Sequence, residues 1–150
     1  CPACHTVHYE NPLNVVGTIS VWNHKVLLCK RNIEPRKGFW TLPAGFMELQ
    51  ETLAEGAVRE TDEEAGAVIE MQSLFTIIDV PRVGQVHFFF RAQLQSPDFN
   101  PGHETQEARL FSQEDIPWDD LAFRTVRETL KFFFSDREKG EFELHILSIR

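Results

Sequence analysis

Apolar and polar positions along the chain follow two different periods. Val15 to Trp22 and Lys25 to Lys30 are rich in valine, isoleucine and leucine, and the Asn23-His24 pair between them predicts a hairpin with a tight turn. The polar stretch Asn32 to Phe39 holds Pro35 and Gly38 and is expected to be a loop. Trp40-Thr41-Leu42 then reads as a short extended piece ended by Pro43. Strong helix formers fill Thr52 to Ala65, and Gly66 stands where a helix C-cap belongs. Val68 to Val80 and Val86 to Leu94 read as strands, with Pro81 to Gln85 as the turn between them. Gln95 to Glu104 is expected to be a surface loop, and Ala108 to Phe111 one more short strand. Val126, Leu130, Phe133 and Phe134 recur at helical spacing, which predicts a second helix from about Ala122 to Ser135. Phe142 to Ile149 alternates as a terminal strand. The order of elements predicts one mixed α/β domain with its sheet packed between helices.

The first helix carries an unfavourable charge pattern. At about 100° per residue, Ala54, Ala57, Val58, Thr61 and Ala65 share one face, made of small residues that suit close docking on a sheet. Glu60, Glu63 and Glu64 cluster on the adjoining face, where they repel one another. They also occupy the last turns, where the helix dipole is negative. A helix selected for stability alone would place lysine or arginine there. A bound cation removes the conflict, and magnesium, a hard ion that prefers carboxylate oxygen, fits best. A solvated acidic face is the plain alternative for the same three residues.

Composition narrows the setting. At 150 residues the chain supports a single hydrophobic core, and 42% apolar with 25% charged residues is ordinary for a globular protein. No apolar run reaches the length of a membrane span, and the segment before the first strand lacks the features of a signal peptide. A net charge of −8 argues against a nucleic-acid binder and requires local cations if the ligand is anionic. Three cysteines make no even disulfide framework, so a cytoplasmic setting is expected. Cys1 and Cys4 form a two-ligand knuckle, half of a tetrahedral zinc site, whose other ligands would come from His5 and His8 or from residues upstream. Cys29 lies inside an apolar strand and reads as core. Phe88 to Phe90 and Phe132 to Phe134 read mostly as core, and His87 and His103 as surface or hydrogen-bonded structural groups.

The spacing around the acidic helix resembles a known family. Gly45, five residues, Glu51, seven residues, Arg59-Glu60, two residues, Glu63-Glu64, one residue and Gly66 fill every invariant position of the Nudix box. Two aliphatic positions of the box hold Thr61 and Ala67 instead. The resemblance implies a Nudix-type α/β/α sandwich over 13–150. It also implies that residues 1–12, with Tyr9 and Asn11-Pro12, are the remnant of an N-terminal zinc ribbon, with structural zinc in a longer chain. It further implies that Gly45, Glu60, Glu63 and Glu64 hold magnesium, with manganese able to substitute, while Arg59 orients Glu60 and Glu51 supports the site. A later carboxylate, Glu107 in preference to Glu104, is expected as ligand or general base. Members with this ribbon and a similar segment from Lys30 to Gly45 cleave ADP-ribose or FAD, and no SQPWPFP-type segment of the NADH-cleaving members follows the box. The expected reaction is therefore magnesium-dependent hydrolysis of the diphosphate linkage of a nucleotide derivative, releasing AMP from ADP-ribose or FAD, with a homodimer as the expected assembly. Arg31, Arg36, Trp40 and Arg82 are the candidate substrate contacts. A non-catalytic nucleotide sensor and a house-cleaning nucleoside triphosphate hydrolase are the alternatives.

Overall fold

The structure is a computed structural model that describes Ala3 and residues 10–150. Cys1, Cys4, His5, His8 and Tyr9, and with them the zinc-ribbon expectation, lie outside the described residues.

The hairpin forms as the pattern predicts. Strands β1 (Leu13–Trp22) and β2 (Lys25–Arg31) are joined by Asn23 and His24, both at positive φ, the backbone a two-residue hairpin turn requires. Then follow β3 (Trp40–Thr41), β4 (Ala44–Phe46), helix α1 (Leu53–Ala65), β5 (Ile69–Val80), β6 (Gln85–Leu94), β7 (Thr105–Phe111), helix α2 (Arg124–Lys139) and β8 (His145–Ser148). The strands form one mixed sheet in the order β3-β2-β1-β6-β5-β8, with β4 paired to β1 and β7 to β2. β1 runs parallel to β6 and β5 parallel to β8, and the other pairings are antiparallel. Among the described residues, no helix is long and apolar enough to cross a membrane.

The two faces of the sheet carry different helices. α2 lays Val126, Leu130, Phe133 and Phe134 against Ile19, Phe75 and Phe89. α1 covers the opposite face, with Ala57 against Val16 and Phe90 and Ala65 against Leu27 and Cys29. Cys29 is thus a core residue, and burial pushes its thiol pKa well up. A capping box opens α1: the Glu55 N–H donates to Thr52 Oγ1 at 3.0 Å and the Thr52 N–H to Glu55 Oε1 at 2.8 Å. Gly66, at φ 62°, closes it in the left-handed region.

Several boundaries differ from the periodic reading. β4 is a separate strand, set by its register on β1 (Val15 opposite Phe46, Val16 opposite Gly45) and not by its own three residues. α2 begins at Arg124 because Leu121 and Phe123 are extended, with the Ala122 N–H donating to the Trp40 carbonyl at 2.7 Å. It continues past Ser135 through good helix formers until Gly140 turns left-handed. Phe142 packs edge-on against Phe75 and beside Phe133, which delays β8 to His145. There Asp136 ties the helix end to the last strand, accepting from the Glu143 N–H at 3.1 Å and lying 2.8 Å from His145 Nε2.

The docking face of α1 is rotated by about one residue from the wheel. Val58 is 41% exposed, whereas Gly56 and Glu60 are buried with Ala57, Thr61 and Ala65. The cause is a close approach: a Cβ on Gly56 would press on Val16 and Glu51. That rotation draws Glu60 beneath β4.

Candidate active site

Arg59 organises the acidic helix. Its guanidinium forks onto Glu51, donating from Nε to Oε2 at 3.0 Å and from Nη2 to Oε1 at 2.7 Å. It also donates from Nη1 to Glu60 Oε1 at 2.8 Å and to Glu63 Oε2 at 3.3 Å, and from Nη2 to the Phe46 carbonyl at 3.1 Å. The hydrogen bonds from Arg59, helped by the Glu48 N–H, pull the Glu51 carboxyl down to about 2, so it stays ionised. A lysine has no planar fork and could not reproduce this set.

Glu60 and Glu64 are in the opposite condition. Burial raises the pKa of Glu60 although Arg59 opposes the shift. Burial also pushes Glu64 up to about 8, against the Ala44 N–H that donates to its Oε2 at 3.0 Å, with Glu60 and Glu104 adding like charge. Gly45 lies directly over Glu60, so close that any Cβ at this position would land on the carboxylate. Glu63 is more exposed, on the outer side of the same turn.

These groups line one end of a cavity of about 540 Å³ that β4, the loop after β2 and the start of α2 enclose. The volume suits a small-molecule site. Five carboxylates (Glu48, Glu60, Glu63, Glu64, Glu104) face two guanidiniums (Arg31, Arg59), and Arg59 is already engaged. Hard oxygen donors, two of them buried and resisting ionisation, form a donor set that fits a divalent cation. An anionic ligand would be repelled from this end without one.

The structure sorts the other expected residues. Arg31 lines the cavity, with its guanidinium 4.9 Å from the Phe123 ring centre and its Nε donating to the Pro35 carbonyl at 2.8 Å. Arg36 is outside it: its guanidinium covers Phe39 at 4.1 Å and its Nε donates to the Ala122 carbonyl at 3.2 Å. Trp40 is a core residue, buried and edge-on to Phe111 at 4.9 Å, and not a substrate platform. Arg82 sits in the exposed turn Pro81–Val83, away from the cavity.

Glu107 also requires correction. β7 begins at Thr105, so Glu107 is inside the strand, half-exposed and 3.8 Å from Arg109, outside the cavity. Glu104 takes the place expected of it. The loop before β7 caps the end of α1, the Asn100 N–H donating to the Ala65 carbonyl at 2.9 Å and the Gly102 N–H to the Glu64 carbonyl at 3.3 Å. That cap carries Glu104 to the mouth of the acidic end.

Two further cavity residues, Gln85 and Thr125, went unread, and His87, expected to be a surface or hydrogen-bonded structural group, is hydrogen-bonded and lines the cavity as well. Gln85 and His87 project from one face of β6, and Thr125 from the first turn of α2. The i, i+2 spacing of Gln85 and His87 is visible in the sequence, but the arrival of Thr125 depends on helix docking. The two departures from the box also find their reasons. Thr61 donates to the Ala57 carbonyl at 2.8 Å and meets Thr18 Oγ1 at 2.8 Å, while Ala67 fills a core cluster.

The acidic helix, held by one arginine beneath Gly45 of β4, and the likenesses that follow make this chain a hydrolase acting on phosphorus anhydrides. The chain belongs to the Nudix family: the NUDIX domain matches residues 12–142. Among solved structures, a NUDIX hydrolase from Nitrosomonas europaea is 50% identical, with a TM-score of 0.97 over 99% of this chain and 85% of that one. An ADP-ribose pyrophosphatase from Streptococcus suis is 25% identical, with a TM-score of 0.74 over 91% of this chain and 99% of that one. The ADP-ribose pyrophosphatase of Methanocaldococcus jannaschii is 32% identical over 113 residues, which are 73% of this chain and 67% of the relative. The NAD-capped RNA hydrolase NudC of Vibrio parahaemolyticus is 26% identical over 141 residues, 91% of this chain and 54% of NudC. The chain thus spans about half the length of that NudC relative.

Proposed function

We propose that this chain hydrolyses the diphosphate linkage of a nucleoside diphosphate derivative, ADP-ribose or FAD, and releases AMP. The observation that carries the reading is the pair of carboxylates, buried Glu60 and partly buried Glu64, at the end of a cavity sized for a nucleotide. The names of the Methanocaldococcus jannaschii and Streptococcus suis relatives support ADP-ribose as the first substrate to test.

Glu60, Glu63 and Glu64, with the Gly45 backbone, would hold magnesium, for which manganese can substitute. Such an ion supplies charge neutralisation of the diphosphate and acidification of water. Arg59 keeps Glu60 and Glu63 oriented while Glu51 anchors Arg59. Arg31, which lines the cavity over Phe123, offers a cation to the anionic substrate. Glu104, exposed on the turn before β7 and close enough to feel Glu60 and Glu64, would take the proton.

Product chromatography with magnesium tests the reading, on ADP-ribose, FAD, NADH, a dinucleoside polyphosphate and an oxidised purine triphosphate. AMP is expected from ADP-ribose or FAD. Glu64→Gln is expected to lower turnover roughly 10²-fold or more with the fold intact. Near-normal turnover by Glu64→Gln removes the assignment of the acidic helix. Binding of a nucleotide with no product from any of the five selects the sensor alternative.

A further inference from the structure

The cavity has two chemically different ends. Its carboxylates and Arg59 gather around α1 and Glu104, with Arg31 reaching from the end of β2 over Phe123, whereas the wall formed by β6 and the first turn of α2 carries Gln85, His87 and Thr125 among Val15, Phe89 and Val126. Register fixes the separation. Phe46 of β4 stands opposite Val15 of β1, and Val15 stands opposite His87 of β6, so two strand spacings, roughly 10 Å, part the ends. Ribose and base together bridge such a gap.

Within the neutral wall the three polar side chains form a chain. His87 Nε2 lies 2.8 Å from Gln85 Oε1, and Nδ1 lies 2.9 Å from Thr125 Oγ1. With the Gln85 oxygen facing it, Nε2 carries the proton, and Nδ1 accepts from the Thr125 hydroxyl. Burial lowers the His87 pKa to about 4, so the imidazole stays uncharged. Two capacities are then left over: the Gln85 NH2 as donor and a lone pair of Thr125 Oγ1 as acceptor. Rotating the Gln85 amide reverses the whole chain and exchanges those roles. Polar groups placed in an apolar wall cost free energy unless each is paired, and these three pair with one another and keep one donor and one acceptor beside the cavity.

We propose that Gln85, His87 and Thr125 form the specificity wall of this site, and that it reads the hydrogen-bonding edge of an uncharged planar base, the nucleobase of the substrate. The assignment rests on the nucleotide reading above. The three polar side chains are themselves neutral, and their apolar neighbours Phe89 and Val126 suit a flat ring better than a hydrated sugar.

Calorimetry on the whole chain with magnesium tests it, using AMP and ribose 5-phosphate, which differ by the base alone. The unmodified protein is expected to bind AMP at least about tenfold more tightly, the contribution of two neutral hydrogen bonds. Thr125→Val and His87→Phe are expected to bring that ratio towards one. Thr125→Val is nearly isosteric and decides the question if His87→Phe does not fold. AMP binding no tighter than ribose 5-phosphate, including no detectable binding of either, overturns the proposal, and so does a ratio unchanged in folded Thr125→Val. Absence of turnover on the diphosphate panel would leave this ratio measurable. Equal binding of AMP and ribose 5-phosphate by the unmodified protein, with turnover intact, would remove the wall and keep the hydrolase.

Discussion

At the scale of single residues, the site depends on groups held in states that water would not favour. His87 has lost solvent on most of its surface, and its neutral partners leave the imidazole without a counter-ion. Its folded pKa of about 4 lies below the ordinary value of 6.5, so the folded protein binds fewer protons here than the unfolded chain between those limits. The stability from neutral His87 is therefore fully present above about pH 6.5 and lost as pH falls towards 4. Denaturant unfolding of the wild type and His87→Phe should show their stability difference moving by up to roughly 3 kcal/mol, against the wild type, across this interval. A constant difference would mean that His87 is solvated. Gly45 provides the second residue-scale case. Gly45→Ala would displace the Glu60 carboxylate, and a shift of this kind is expected to cost about 10²-fold in turnover with little change in far-ultraviolet dichroism.

At the scale of elements, the strength of the local signal decided what was legible. α1 was readable to within a residue because capping box, helix formers and C-cap glycine all agree. The hairpin of β1 and β2 was readable because Asn23-His24 suits its turn. β4 was not, since three residues carry no periodicity and only the register with β1 defines them. Glu107 was preferred to Glu104 through a strand boundary: β7 starts three residues before Ala108, and period two then turns Glu107 towards Arg109 and away from α1. Trp40 was offered to substrate as an aromatic stacking surface, yet β3 pairs with β2 and places the indole in the core. Val58 failed on the wheel because Gly56, with no side chain, admits Val16 and turns the helix.

At the scale of the whole molecule, a chain of net charge −8 concentrates five carboxylates at one end of one cavity. That arrangement should leave a detectable mark on stability. Magnesium held by these carboxylates in the folded state alone would contribute about 2.7 kcal/mol at about a hundredfold excess over its dissociation constant. For a chain of this size the melting temperature should rise by about 5 °C or more, and chelation should reverse the rise. Glu64→Gln should melt nearly the same with and without the ion. An equal rise in both proteins would place the cation elsewhere, the cluster of Asp136, Glu143 and His145 being the alternative to examine.

The sequence alone determined the acidic helix, its caps, its arginine and the order of strands and helices. Those features follow from interactions between residues a few positions apart, whose periods and cap residues are written in consecutive letters. Only the tertiary structure decided that Glu104 reaches the acidic end, that Trp40 is core, and that Gln85, His87 and Thr125 meet on one wall. Each of those outcomes depends on strand register or helix docking across tens of residues. The energy that fixes such contacts comes from burying whole faces, so no local stretch of sequence records them.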